Sequence, residues 1–294
     1  MKNRKIDLFQ PKTCIRIGLF VNIILTIFKF FAGIVGLSKA MVADALHSLS
    51  DILTSVVAYV GICIAERPAD KDHPYGHGNA ETIAAVLVSV MILGIGTYVG
   101  ITAISDIIQR QFRTPLNIAL LAAIVSIIVK EALYRYTIKV GKMSNNPAVV
   151  ADAWHHRSDA YSSVAALIGI AGAKISFLYL DPIAALVVSA LIIKIATRLI
   201  RSNIGIMMDE RPQAAFIDDL KLVVQETEGV RKLDSIKIHR RGSTFTVDLK
   251  IAVEATISVE EGHKIATRVR NNLLNKIKTI RDVMVHVNPY TLGG

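Results

Sequence analysis

The sequence predicts an α-helical membrane domain of six transmembrane helices followed by a small C-terminal α+β domain. Three observations predict it. The chain of 294 residues is 52% hydrophobic and only 20% charged, with a mean hydropathy of +0.45. Soluble domains are less apolar and more charged than this. The apolar residues fall in blocks up to about residue 206, each near the ~20 residues that cross a bilayer. Beyond that point the composition is mixed and the pattern alternates as strands do.

The spans are expected at about 14–37, 41–65, 81–108, 115–138, 148–173 and 181–205, which divides the chain into a membrane domain, 1–208, and a tail domain, 209–294. An even number of spans leaves both termini on one side. Lys2, Arg4, Lys5, Lys12 and Arg16 precede the first span, Arg67 and Lys71 follow the second, and Arg135, Lys139 and Lys142 surround the end of the fourth. The opposite face has little beyond Lys39, Arg110, Arg113 and Lys174. Basic loops stay in the cytoplasm, so both termini are expected there, in the inner cell membrane if the source is bacterial. The basic N-terminus leads into an apolar block long enough to span, so no removable signal peptide is expected. The net charge of +10 is thereby a topology signal. No zinc finger or aromatic-interleaved basic run supports nucleic-acid binding. Cys14 and Cys63 lie in or beside apolar segments and show neither CxxC nor disulfide spacing.

In the tail, PQAAFIDDLKLVVQETEG starts with Pro and stops with Gly, as a helix of about four turns does. LDSIKIHRR and TFTVDLKIAVE alternate as a hairpin pair around Arg-Gly-Ser. SVEEGHKIATRVRNNLLNKI is an amphipathic helix capped by Ser258 with Glu261 three residues on. DVMVHVNP is a last strand. The order αββαβ suits helices packed on one face of a small sheet.

Span two begins ADALHSLSD, residues 43–51, and span five begins ADAWHHRSD, residues 151–159; six of the nine positions are identical. Charged groups in lipid are costly and mark function. The segments lie three spans apart and cross in opposite directions, as site-bearing segments of inverted repeats do. His47 and Asp51, and likewise His155 and Asp159, are offset by about 40° on one helix face. Two facing pairs present two imidazoles and two carboxylates. Such a set closes a tetrahedral site suited to zinc, and also admits iron(II), cobalt and manganese. The bland alternative is interhelical hydrogen bonding by packed polar groups. The repeat aligns His155 with His47 and His156 with Ser48, which favours His155 as the ligand. Asp44 and Asp152, seven residues before the second carboxylates, are read as pathway groups for ions or protons, or as carboxylates favoured by a helix start.

FKFFAGIVGLSKAMVADALHSLSD, RPADKDHPYGHGNAE and AWHHRSD together resemble the cation diffusion facilitators over essentially the whole chain. The resemblance implies a homodimer in the lipid bilayer with six spans per subunit and a ferredoxin-like, metallochaperone-like cytoplasmic domain. It implies export of divalent metal cations, commonly against protons, with no catalytic cofactor and no nucleic acid. It gives the central site to His47, Asp51, His155 and Asp159. Histidine at the first position is similar to zinc-selective members and to some assigned to iron. Zn2+ is therefore the first expectation for the transported ion and Fe2+ the alternative, with cobalt, manganese and cadmium behind.

The same resemblance implies a second metal at Asp70, His73 and His77, in the loop after span two. The alternative is a solvated turn made by Pro74 and Gly76. In the tail, His263 and His286 match family ligands, but Asp234, Lys250 and Asn288 stand where members often carry other ligating residues. A protonated lysine cannot ligate and repels a cation. These departures argue against a full two-metal site and leave one weaker site of Asp234, His263 and His286. His239 is expected as a surface strand residue. Asn79 stands where a lysine can pair with an acidic residue after span six, so Asp209 or Glu210 would need another partner, such as Arg67 or Arg211. Lys29 is expected to snorkel or to meet an internal carboxylate. Asp106, Lys130, Glu131 and Lys194 are expected at helix ends or between helices. An intramembrane metalloenzyme would need an open coordination position and a general base, and no HExxH or nearby glutamate supplies them. A membrane metal sensor or scaffold that does not transport would bind metal without flux.

Overall fold

The computed structural model describes residues 10–144, 146–242 and 244–291. Lys2, Arg4, Lys5 and Ser243, and the side chain of Lys12, lie outside the described residues. Six long helices come first: α1 (Pro11–Val35), α2 (Lys39–Ala65), α3 (Asn79–Ile108), α4 (Asn117–Met143), α5 (Pro147–Lys174) and α6 (Leu180–Met207). The tail holds α7 (Ala214–Gln225), β1 (Lys232–Arg241), β2 (Thr244–Glu254), α8 (Val259–Lys276) and β3 (Ile280–Tyr290). α4 runs five residues past its expected end at 138, because RYTIKV keeps the helical pattern after the apolar stretch has finished.

Five of the six long helices are apolar enough to cross a membrane on composition alone. The exception is α5, whose first half carries Asp152, His155, His156, Arg157 and Asp159. Its 28 residues are ample in length. Its polarity is concentrated in one cassette.

The chain divides into two compact units: the described residues of Met1–Val57 with Leu87–Leu199, and those of Ala58–Val86 with Ile200–Gly294. In the first unit the helices meet through small residues. Ala32, Ala40, Ala119, Ala122, Ala123, Ala166 and Ala184 form a buried seam around Met41 and Ile170. A Cβ on Gly33 would stand 2.8 Å from the Val42 backbone nitrogen, so glycine sets the α1–α2 approach. A second seam joins α2, α3 and α6 through Ala43, Val88, Ile92, Ala103, Ala185, Val188 and Ile192. Large apolar side chains such as Phe20, Ile27, Phe31 and Leu121 point outward. Small residues inside and large ones toward lipid is how membrane helices pack.

The second unit contains the three-stranded sheet, in the order β1-β2-β3, with β1–β2 antiparallel and β2–β3 parallel. A parallel pair needs a crossover, and α8 supplies it. α8 begins at Ser258, whose hydroxyl accepts from the Glu261 amide at 3.1 Å, as the capping pattern predicts. Val247, Leu249, Ile251 and Val253 alternate inward along β2 and pack with Leu220 and Val224 of α7 and Ile265, Val269 and Leu273 of α8. Both helices thus cover one face of the sheet. α7 is three turns rather than four, because its last turn gives way at Glu226 to the bend before Gly229, where φ is +95°.

Candidate metal centre

Four residues of α2 and α5 were expected to converge, and the helical repeat brings three of them together. One ligand atom each from His47, Asp51 and Asp159 lies within 4.8 Å of the other two. His47 and Asp159 are 7% and 2% exposed. Asp51 Oδ2 is buried with no hydrogen-bond partner among the described residues. An orphaned carboxylate oxygen in a dry place calls for a cation. His155, the fourth expected ligand, stands beside the group. Its Nδ1 is 3.6 Å from Asp159 Oδ1, and its side chain is half exposed. That separation is too long for a hydrogen bond. It is close to the ~3.3 Å edge between two ligands of one tetrahedral ion with bonds near 2.0–2.1 Å.

A residue absent from the expected site also enters it. Lys130 of α4 was expected as a helix-end or interhelical polar group. It is interhelical: its Nζ donates to Asp159 Oδ2 at 2.7 Å and to Asn22 Oδ1 at 2.9 Å, and it is 2% exposed. An ammonium thus occupies one face of the carboxylate that a metal would use. The sequence signal was a lone lysine flanked by apolar residues mid-span, which by itself does not name its partner. Lys29 is a second buried lysine, and it pairs with Asp44 at 2.7 Å rather than snorkelling. Ser162 and Ser163 donate to Asp44 at 2.8 Å, one to each oxygen, and Lys29 also donates to Ser48 and Ser163. Both Asp44 oxygens are therefore engaged. Asp152 remains partly exposed, with Oδ2 3.6 Å from His156 Nε2.

Asp181 at the start of α6 is another carboxylate that sequence reasoning passed over. It is buried and accepts from Ser38 Oγ at 2.6 Å and the Lys39 amide at 2.7 Å, which fixes the start of α2. Asp106 pairs with Lys39 at 3.2 Å between helix ends, as expected, whereas Glu131 pairs with Arg135 one turn on along the surface of its own helix.

The loop between α2 and α3 gathers Asp70, His73 and His77, with a ligand atom of each within 4.8 Å of the others. Asp70 Oδ1 accepts from the amides of Asp72 at 3.1 Å and His73 at 2.6 Å. The His73 carbonyl then accepts from the Gly76 amide, and Gly76 takes a φ of +80°. The loop is a self-bonded turn, and Pro74 and Gly76 make it, but that turn also aims two imidazoles at one carboxylate. The His73 amide, aided by its ring, holds the Asp70 carboxyl below the usual carboxylate range. Arg241 of β1 lies over the Tyr75 ring at 4.6 Å, and a Cβ on Gly78 would touch Arg241. The loop is thus braced on the sheet.

In the tail, a bulge between Leu233 and Ser235 turns Asp234 out of the strand register. There it accepts from Asn288 Nδ2 at 2.9 Å. His286 pairs in register with Lys250 across β2 and β3, and His263 is exposed on α8. Among the described residues these three do not gather as the two groups above do. His239, expected as a plain surface strand residue, is engaged: Nδ1 is 2.8 Å from Asp209 Oδ2 and Nε2 is 3.5 Å from Asp248. Asp209 takes His239 and the Arg240 amide as partners, in place of Arg67 or Arg211, because its φ of +56° turns the chain back toward β1.

Residues 15–208 match the cation efflux transmembrane domain, and residues 212–290 match the cytoplasmic domain of cation efflux proteins. The chain belongs to the cation efflux family. The family's cation diffusion facilitators are transporters of divalent metal cations and not enzymes, and this cation efflux protein is an integral membrane transporter of that kind. It is similar to the manganese efflux system protein MneP of Bacillus subtilis, 35% identical over 281 residues, 93% of this chain and 94% of that protein. It is 33% identical over 274 residues to the magnetosome protein MamB of Magnetospira sp., with 93% and 94% of the two chains covered. Metal tolerance protein C1 of Arabidopsis thaliana is 32% identical over 289 residues, which span 93% of this cation efflux protein and 61% of that one.

Proposed function

We propose that this cation efflux protein exports zinc in exchange for protons, with His47, Asp51, His155 and Asp159 as the transport site. One observation carries the reading. His47, Asp51 and Asp159 converge from two helices with the same cassette, with an unsatisfied carboxylate oxygen among them. Two imidazoles and two carboxylates suit a tetrahedral borderline ion. Lys130 stands where part of the cargo's charge would go. The metal displaces its ammonium from Asp159, and Asn22 retains it, still charged. His155 completes the site by turning inward from its half-exposed position. Outward opening then lets protons compete for the same imidazoles, since only neutral imidazole ligates.

The arrangement we propose around this site is a homodimer in the cell membrane, the inner one if the source is bacterial. Both termini are cytoplasmic, with a membrane domain of residues 1–208 and a cytoplasmic domain of residues 209–294. The loop group of Asp70, His73 and His77 holds a second ion on the cytoplasmic side. The tail residues Asp234, His263 and His286 do not gather among the described residues, and Asn288 already occupies Asp234, so no ion is assigned to them.

The test is uptake into proteoliposomes, with metal content measured directly and internal pH followed by a trapped dye. Zn2+ uptake should alkalinise the lumen, because each ion that enters sends protons out. Wild-type flux after Asp51→Ala and Asp159→Ala together would sink the site. Manganese is the second reading. The name of the Bacillus subtilis relative favours it, as do the two carboxylates of the set. Competition of Mn2+ and Fe2+ against Zn2+ for uptake separates the cargoes.

A further inference from the structure

His156 was set aside in favour of His155 by the repeat, yet it is the more deeply buried of the two. Its side chain is 3% exposed, and neither ring nitrogen has a hydrogen-bond partner among the described residues. An imidazole offers a donor and an acceptor, and buried ones are normally paired. Its Nε2 stands 3.6 Å from Asp152 Oδ2. That is beyond a hydrogen bond and close to the ~3.3 Å edge of a tetrahedral ion's ligand shell.

One side of Nε2 carries no side chain. Nε2 faces α1 at Gly18, where a Cβ would come within 3.3 Å of it. The missing side chain keeps that side of the nitrogen open. Asp152 is 37% exposed, so the pair runs from an accessible carboxylate to a buried imidazole. Along α5, positions 152, 156 and 159 fall within an arc of about 60°. His156 lies between the partly exposed Asp152 and the central Asp159 on one helix face.

We propose that Asp152 and His156 form a separate waiting site for a divalent first-row cation, from which cargo passes to His47, Asp51 and Asp159. The proposal rests on the export reading above. Two protein ligands with water filling the remaining positions bind weakly, as a waiting site requires. An imidazole and a carboxylate select transition ions over magnesium.

The experiment uses the full chain in detergent micelles with the central and loop groups removed by Asp51→Ala, Asp159→Ala, His73→Ala and His77→Ala. Titration with Zn2+ alone should show a binding equivalent that His156→Gln or Gly18→Ala abolishes and Asp152→Asn weakens about tenfold or more. Gly18→Ala adds only a methyl group beside Nε2 and keeps a good helix former in α1. In the otherwise native chain, His156→Gln and Asp152→Asn should raise the KM for Zn2+ uptake several-fold and leave kcat in place. A titration indifferent to all three substitutions, in proteins that melt like their parent, overturns the waiting site. So does an unchanged KM. Flux by the Asp51→Ala, Asp159→Ala protein reports on the central site alone, so failure of the export reading shows there and failure of the waiting site shows in the titration.

Discussion

Lys130 is the residue on which the central group turns. Its ammonium and the Asp159 carboxylate are almost wholly buried at 2.7 Å, so each is the other's main compensation for lost water. Lys130→Met leaves Asp159 without its partner, and breaking a buried pair from one side costs about 3–5 kcal/mol. The metal-free protein should therefore melt at lower temperature. Zn2+ should restore more of the melting temperature than in the native chain, because the cation no longer competes with an amine. Lys130→Arg should keep the native melting profile and metal response. Thermal melts with and without Zn2+ check both. Asp70 is the contrasting case at the surface. Its carboxyl is held below the ordinary range chiefly by the His73 amide, so its folded value lies under its unfolded one, about 3.9. The turn's contribution from this group is then complete above that unfolded value and is lost only as pH falls through the folded value. Carbon-detected NMR of the Asp70 carboxyl should find it titrating below an unstructured aspartate. A midpoint at or above that of the unfolded chain would contradict the hydrogen bonding.

At the scale of elements, α5 and the loop after α2 show what the sequence does and does not say. The paired cassettes and their i,i+4 spacing were legible, because a helix converts spacing into a face. The ADKDHPYGH turn was legible in residue type, and glycine and proline positions predicted its bend. Hydropathy alone would have missed α5, since its polar cassette lowers the apolar average that identifies a span. Long-range partners were not legible. Lys130 and Asp159 lie 29 residues apart on neighbouring helices, and Lys29 and Asp44 meet only after α1 and α2 pack. The bulge that turns Asp234 toward Asn288 depends on sheet register, which no local pattern encodes. The α1–α2 approach supplies a test at this scale. Gly33→Leu would drive a side chain into Val42, whose backbone nitrogen cannot yield. Overpacking of this kind costs about 1–3 kcal/mol. Folded yield and melting temperature should fall, and Gly33→Ala should fall less.

At the scale of the molecule, among the described residues each of the two compact units carries one group that could hold a metal. The central group belongs to a unit whose interior is lined with alanine and glycine and whose exterior is large and apolar. The loop group belongs to the unit that includes the sheet, with Arg241 stacked on Tyr75. Arg241→Ala should therefore loosen the loop without touching a ligand. Zn2+ affinity of the loop group should drop several-fold in a chain whose central carboxylates have been removed, while the α+β core, built on Leu249, Ile251 and Leu273, keeps its amide protection. Hydrogen exchange and titration on one sample read both.

The two lysines also set an electrical account of the cycle. Lys29 and Asp44 cancel and contribute nothing. Asp51, Asp159 and Lys130 sum to one negative charge when the histidines are neutral, so a divalent ion turns the group to one positive charge. Without the lysine, the loaded group would be neutral. The laden step therefore feels the membrane voltage, at about 2.3 kcal/mol per 100 mV if the charge crosses the whole field. Setting the voltage across proteoliposomes with a potassium gradient and valinomycin should change metal flux in the native chain, and Lys130→Met should flatten that dependence. The ammonium that holds Asp159 in the resting site then also sets how steeply the laden step answers the voltage.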